Sequence, residues 1–337
     1  PWTDPPAARM AKPVRKGTPS LPYACPVTPA ELSRTVLHAV CRAVEDGALR
    51  APVPESVRIE RPRPGGRGDY ATNVALRLAG PAGRPAGDVA ALLKERIGHA
   101  DGIERIEITG PGFLNFTLAG SAQQRLVETV RRQGAQYGDP LPGTGFPHPD
   151  EVRARVWAET LVRLGARPLD GESVTVVPAP RGDLFTTLGN DAARWALLAA
   201  AAHDRPRTED LLVQHERNPL HKVRYAHARA RALSRSAEQL GFGAAPDAYV
   251  DAPALTTAVG DHPAVVAGAA RLRAPDRLAR HLDVTADALL AFQHTVLPLG
   301  DEKPSAAHRS RLALAEAAGT VLAGGLSLLG ISAPEYL

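Results

Sequence analysis

The chain has 337 residues, 44% of them apolar and 23% charged, and a formal net charge of +4. That length accommodates two or three domains with substantial cores, and no apolar run predicts a membrane span. Only two cysteines are present, Cys25 and Cys41, which argues against a disulfide framework or a cysteine zinc site and makes a cytoplasmic setting the expectation. Positive charge is carried almost wholly by arginine, with lysine only at positions 12, 16, 94, 222 and 303. With abundant alanine, this is the signature of a GC-rich coding sequence, so charge alone does not identify an anionic partner.

Residues 1–26 are proline-rich and basic, lack the apolar stretch of a secretion signal, and read as a disordered tail. Thr28-Pro-Ala-Glu31 has the form of a capping box ahead of a helix with Leu32, Val36, Leu37, Val40 and Val44 on its apolar side. Val57–Glu60 alternates like a strand, Ala71–Ala79 reads as a helix, and Ala86–Ile97 is an amphipathic helix. Ile103–Ile108 and Phe113–Leu118 are strands joined by a Gly110-Pro-Gly112 turn. Gly65-Gly-Arg-Gly68 lacks the Gly-Lys-Ser/Thr ending of a phosphate loop and reads as a turn, while Asp69 and Asp88 read as a turn residue and a helix cap.

The middle of the chain is less informative. Gln123–Arg132 and Glu151–Leu164 read as helices, Asp139–Pro149 as a Pro/Gly-rich linker, and Ser173–Val177 as one short buried strand. A doubly wound nucleotide-binding sheet needs several such strand–helix units. From residue 190 onward the pattern is all helical, with helices expected over 190–202, 208–239, 264–271, 275–295 and 306–329, which suits an antiparallel bundle. His262, His281, His294 and His308 are scattered without metal-ligand spacing, and Ser234, Ser236 and Ser327 lack a nucleophile elbow.

One stretch is strongly basic. Arg217, Lys222, Arg224, Arg229, Arg231 and Arg235 follow one another with no acidic residue between Glu216 and Glu238, and Tyr225 and His227 are interleaved. At helical spacing many of these share a side, a layout that suits a phosphate backbone because each cation neutralises a phosphate and releases a counterion. A solvated arginine-rich face is the other reading of the same charges.

The wording of that stretch, Asn218-Pro219 followed by Tyr225-Ala-His-Ala-Arg229, resembles the motif that opens the anticodon-binding helical domain of arginyl-tRNA synthetases. Gly68-Asp-Tyr-Ala-Thr-Asn73 and Gly110-Pro-Gly-Phe-Leu-Asn-Phe116 resemble that family's N-terminal additional domain, in the same order and at similar spacing. Asp276–Leu282 resembles its Asp-Ala-Leu-Arg-type module, and Leu328–Leu337 its usual ending. The resemblance covers roughly 25–118 and 185–337. It implies an α+β multidomain fold: a tail at 1–26, an α/β additional domain at 27–120, a reduced remnant of the catalytic domain at 121–188, and an all-α anticodon-binding bundle at 189–337.

The resemblance also implies tRNA, arginine tRNA above all, as the partner. It assigns anticodon-side contacts to Lys222, Arg224, Tyr225, His227, Arg229, Arg231 and Arg235, and contacts near the tRNA elbow to Tyr70, Asn73 and Phe113. From the residues alone, Tyr70, Phe113 and Phe116 read more readily as core aromatics, while Tyr225 reads equally as packed in the bundle and His227 as satisfying a nearby carbonyl. The sequence departs from the family at Leu220-His221-Lys222, where more apolar and aromatic residues are usual, at Phe292 and His294, and at Leu337, where a Met is commoner.

The family's catalysis rests on a His-x-Gly-His motif and a Lys-Met-Ser-Lys-Ser-type loop, which stabilise charge in the transition state. Neither occurs here. His148–Arg155 stands at the place of the first and Pro180–Leu188 at that of the second, with Arg181 its sole cation. The expectation is a catalytically degenerate relative that binds tRNA, with no metal, no cofactor and no bound ATP. Two other readings remain: a minimal or partner-complemented ligase, and a protein-interaction module that binds a full-length synthetase or another protein without RNA.

Overall fold

Two separate hydrophobic cores organise the chain and divide it near residue 120. The computed structural model describes residues 28–60, 62, 68–98, 100, 102–119, 121–215 and 217–337. The tail expected over 1–26, Cys25 and most of the Gly65–Gly68 turn lie outside the described residues.

The first core begins with α1 (Pro29–Glu45), which starts as its sequence requires. Thr28 Oγ1 accepts the backbone N–H of Glu31, and the Glu31 carboxylate accepts the backbone N–H of Thr28, both at 3.1 Å, a reciprocal cap worth about 1 kcal/mol. Leu32, Val36, Val40 and Ala43 are buried in a core shared with a three-stranded sheet and two further helices. The elements that follow are β1 (Tyr70–Thr72), α2 (Val74–Ala82), α3 (Ala86–Ile97), β2 (Ile103–Thr109) and β3 (Phe113–Leu118). The sheet is antiparallel in the order β1-β3-β2, with Tyr70 opposite Phe116 and Thr72 opposite Leu114.

Two expectations change here. Val57–Glu60 is not a strand but a single bridge, Glu60 to Ala71; the prolines at 62 and 64 lack the N–H that would extend the ladder. Ala71–Ala79 is not one helix: Tyr70–Thr72 pairs with β3, and the helix starts only after Asn73. The strings around Gly68 and Gly110 are therefore the two facing halves of one small sheet. Gly68 (φ 77°) lies so close to β3 that a Cβ would sit 2.7 Å from the Phe116 carbonyl oxygen, and Gly112 (φ 145°) would place one 2.9 Å from Ala86. Asp69 closes the junction, donating its N–H to Phe116 O (2.8 Å) and accepting from Leu118 N–H (2.7 Å).

The second core runs from Leu126 to Ile331. It holds α4 (Ser121–Gln133), α5 (Val152–Arg163), α6 (Leu184–Ala199), α7 (Pro219–Gln239), α8 (Pro253–Arg271), α9 (Asp276–Phe292) and α10 (Ala306–Leu329). Residues 121–188, expected as a reduced connecting region, share this core through Trp157, Leu161 and Leu164. The fold is thus mixed α and β, with a small sheet domain followed by helices. Central among these is α10, which packs on α4 through α9. It is long and apolar enough to cross a membrane by length and composition, yet 78% of its most apolar window is buried by its neighbours.

Two buried arginines bolt this assembly. Arg153 is fully buried and donates to five backbone carbonyls: Leu197 (3.0 Å), Val177 (2.7 Å), Asp204 (2.8 Å), Ala200 (2.9 Å) and Ala201 (2.8 Å). It thereby satisfies the orphan carbonyls at the end of α6. This explains why Ser173–Val177 is extended but pairs into no strand. The Val177 carbonyl belongs to Arg153, and its N–H donates to Ala202 O (2.8 Å). Arg194 donates to Leu329 O (2.9 Å) and to Glu159 (3.0 Å), joining α6 to α10 and α5.

Other helix limits differ from expectation as well. The helix expected over 190–202 starts at Leu184 and kinks at Gly189 (φ 76°, ψ 169°). That expected over 208–239 starts at Pro219, because Asn218 caps it and 208–217 folds into turns. The one expected over 264–271 starts at Pro253 and carries Pro263 inside.

Candidate nucleic-acid interface

Asn218 sets the geometry of the basic stretch. Its Oδ1 accepts the His221 N–H (3.2 Å), while its Nδ2 donates to Leu211 O (2.8 Å) and Val213 O (3.0 Å). One side chain thus starts α7 and pins the preceding turns, with Pro219 at the first helical position where a missing N–H costs nothing. Arg217 lies outside the helix, and Ala228 is buried within it.

The cations along α7 are not free. Lys222 Nζ lies 2.9 Å from Asp283 and 2.7 Å from Asp287, both on α9. Burial works against its ammonium, but the two carboxylates outweigh that and raise its pKa above the ordinary value. Arg224 faces Asp191 at 3.7 Å, and Arg229 donates to Gln293. Arg231 pairs with Glu335 at 3.1 Å. Arg235 stacks its guanidinium 4.2 Å above the Tyr336 ring. Residues 331–337 therefore lie along the helix and cover much of its charge.

His227 belongs to the same strap. It is buried, its Nδ1 lies 2.9 Å from the Pro334 carbonyl oxygen, and burial, reinforced by Arg231, lowers its pKa. It takes the carbonyl-satisfying role and offers no ring face to a base, which corrects its assignment as a contact. Tyr225 is 44% exposed, and its ring stacks on that of His221 one turn earlier, with centroids 6.1 Å apart and planes at 21°. The sequence marks His221 only as a departure from the family, not as a contact; its i, i+4 spacing to Tyr225 is the signal that places the two rings together.

Beside this ring pair lies a cavity of about 390 Å³, bounded by the α6 kink at Leu188–Ala192, the turn at 211–214, His221, Arg224 and Leu337. Aromatic and guanidinium planes next to a cavity with mixed polar and apolar walls can hold an unstacked nucleobase, which binds by stacking and edge hydrogen bonds.

In the N-terminal domain, Tyr70 is buried and pairs with Phe116, so it takes the core reading and is corrected as a contact. Asn73 is exposed and Phe113 is 39% exposed. The register Thr72 to Leu114 puts both at one end of the sheet.

Between these two regions lie His148 and the start of α6. His148 is exposed and sits beside its own Pro149 carbonyl. At the start of α6, Asp183 accepts from the N–H groups of Phe185 and Thr186 (3.1 Å each) and from Thr186 Oγ1 (2.6 Å), contacts that lower its pKa. Among the described residues no cluster of three or more His, Cys, Asp or Glu could hold a metal ion.

Comparison with known proteins assigns these two ends. The profile of the arginyl tRNA synthetase N terminal domain matches residues 31–118, and that of the DALR anticodon binding domain matches 223–337. An arginine--tRNA ligase of Frankia alni is 48% identical over 112 residues, 33% of this chain and 20% of that protein, so the chain spans about a fifth of its length. One from Renibacterium salmoninarum is 25% identical over 550 residues, taking in 92% of this chain and 100% of that protein. Thermus thermophilus arginyl-tRNA synthetase superposes with a TM-score of 0.63 at 15% identity, over 92% of this chain and 100% of that one, a likeness of fold. Two profiles in one order, the same relatives and the same fold place this chain in the arginyl-tRNA synthetase family, with a DALR anticodon-binding domain in its C-terminal part.

Proposed function

We propose that the chain binds tRNA through its two end domains and does not aminoacylate it alone. The observation that carries this reading is the position of the two family-matched segments at opposite ends, with no parallel sheet among the described residues between them. The only sheet among those residues is the antiparallel one of the N-terminal domain, whereas a class I active site stands on a doubly wound nucleotide-binding sheet. The start of α6 adds support. A helix N-terminus can receive a phosphate, but here the Asp183 carboxylate already occupies it, and Arg181 is the one cation of that loop.

In this reading Asn73 and Phe113 meet the tRNA at one end. The His221–Tyr225 ring pair and its cavity take an unstacked anticodon-loop base at the other. Arg229, Arg231 and Arg235 exchange their contacts with Gln293 and the 331–337 strap for phosphates. No cofactor is required, and ATP has no site. The tRNA is expected to be arginine tRNA, and the protein acts as a carrier or regulator rather than a ligase.

Filter binding of tRNA to the full chain over a salt series tests the first half. Affinity should fall steeply with salt, and replacing Arg229, Arg231 and Arg235 by Ala should make the log–log slope shallower by about 2. No binding at low salt would overturn it. Arginine-dependent ATP–pyrophosphate exchange tests the second half: none is expected, and measurable exchange by the chain alone would restore the ligase reading.

A further inference from the structure

Uncommitted positive charge gathers in one groove beside the start of α7. Because Arg153 takes the carbonyls of Leu197, Ala200 and Ala201, α6 stops at Ala199, and the chain continues as turns through 200–217. Those turns, the first residues of α7 and Arg280 of α9 enclose a groove of about 1070 Å³ floored by Trp195, Ala196 and Ala199. Arg205, Arg207, Arg217 and Arg280 line it. The first three are exposed and form no ion pair or side-chain hydrogen bond among the described residues; Arg280 is paired with Asp276 at 3.2 Å and keeps 67% of its side chain in solvent. Every basic side chain assigned on α7 is, by contrast, already engaged.

The groove adjoins the base-sized cavity. Leu211 and Asn218 line both, so the turns held by Asn218 form a thin partition between them. Asp204, Glu209 and Asp210 also line the groove, yet among the described residues none of them pairs with its arginines. Arginine presents a planar fork that grips a phosphate through two parallel hydrogen bonds, and an exposed guanidinium without an internal partner gives up nothing to do so.

We infer that this groove binds the sugar–phosphate backbone of the same single-stranded RNA loop whose base enters the cavity across the partition. The inference rests on the tRNA-binding reading and adds the path of the strand. Bases are held on the His221–Tyr225 side, and consecutive phosphates sit against Arg205, Arg207 and Arg217. Arg280 faces the far wall.

The test compares the full chain with the triple variant R205A/R207A/R217A, using unfractionated tRNA and a short single-stranded RNA over a salt series. These side chains are exposed and unpartnered among the described residues, so thermal melting should be unchanged. Affinity at about 0.1 M salt should fall roughly tenfold or more. The log–log salt slope should become shallower by about 2, at some 0.7 for each phosphate that is no longer neutralised. Y225A should instead weaken binding while keeping the wild-type slope, because it removes stacking and no charge. R205K/R207K/R217K should retain the slope and recover part of the affinity. If the wild type binds tRNA and R205A/R207A/R217A keeps its affinity and slope, the groove holds no phosphate and the inference falls. If the wild type itself binds no RNA at low salt, the reading beneath it falls first.

Discussion

The N-terminal sheet domain and the 121–215 segment make opposite impressions. The first announces itself in its wording, and the residues behind that wording mostly serve the fold: Gly68 and Gly112 let strands approach, and Tyr70 and Phe116 fill the core. The second is unremarkable to read, yet Arg153 ties its α5 to the end of its α6 and Arg194 fastens it to α10, through buried hydrogen bonds spanning long sequence separations. Recognisable strings mark places where the chain must pass close to itself. A segment without them can still be held firmly when one side chain collects several backbone carbonyls.

That contrast can be broken by mutation. Arg153→Leu keeps the volume apolar but leaves five carbonyls without their donor, and should cost about 3–5 kcal/mol. Chemical denaturation followed by the fluorescence of Trp157 and Trp195 should show the loss in the second core, with the sheet domain's transition unmoved. Equal loss in both would mean the cores unfold as one.

Acid should separate the cores next. His262 and His281 stack with centroids 5.5 Å apart inside the second core. Burial, with His281 adding to it, lowers the His262 pKa to about 3, and burial lowers that of His281 to about 4. Unfolded imidazoles take up protons near pH 6.5 while the folded ones stay neutral. Stability therefore falls as pH drops below that value, by up to about 1.4 kcal/mol per pH unit for each ring, until the folded values are reached. Melting between pH 7 and pH 4 should show the bundle losing stability faster than the sheet domain, and His262→Phe should flatten the dependence. A pH-independent bundle would mean these rings are solvated.

The smallest effect belongs to the sheet. Gly112→Ala puts a Cβ against Ala86 at a backbone angle side chains rarely adopt, and should cost about 2 kcal/mol in the first transition alone. An unchanged midpoint would show that the β2–β3 turn can yield.

What the sequence makes legible is local. The Thr28–Glu31 cap, the span Ala86–Ile97 and the span Ala306–Leu329 follow from residues within a turn or two of each other. The start of α7 is hidden from such reading because Asn218 is pinned by carbonyls in the preceding turns rather than by helix periodicity. His227 depends on Pro334, 107 residues later, and no spacing rule carries that distance. The basic stretch is visible, but its neutralisation by Asp283, Asp287 and Glu335 is not, nor are the open arginines at 205, 207 and 217. Charge counts sum residues, whereas binding depends on which of them the fold has left unpaired.

The central place of α10 has a consequence for biosynthesis. The six helices that precede it, from α4 onward, all pack on a segment that is made after them. The sheet domain, with its own core, can close while the ribosome is still at work. The bundle cannot, and the apolar faces that pack on α10 wait exposed until residues 306–329 have emerged. A pause or a truncation within that last stretch would release a chain with one finished domain and one adhesive half, a substrate for chaperones or proteases.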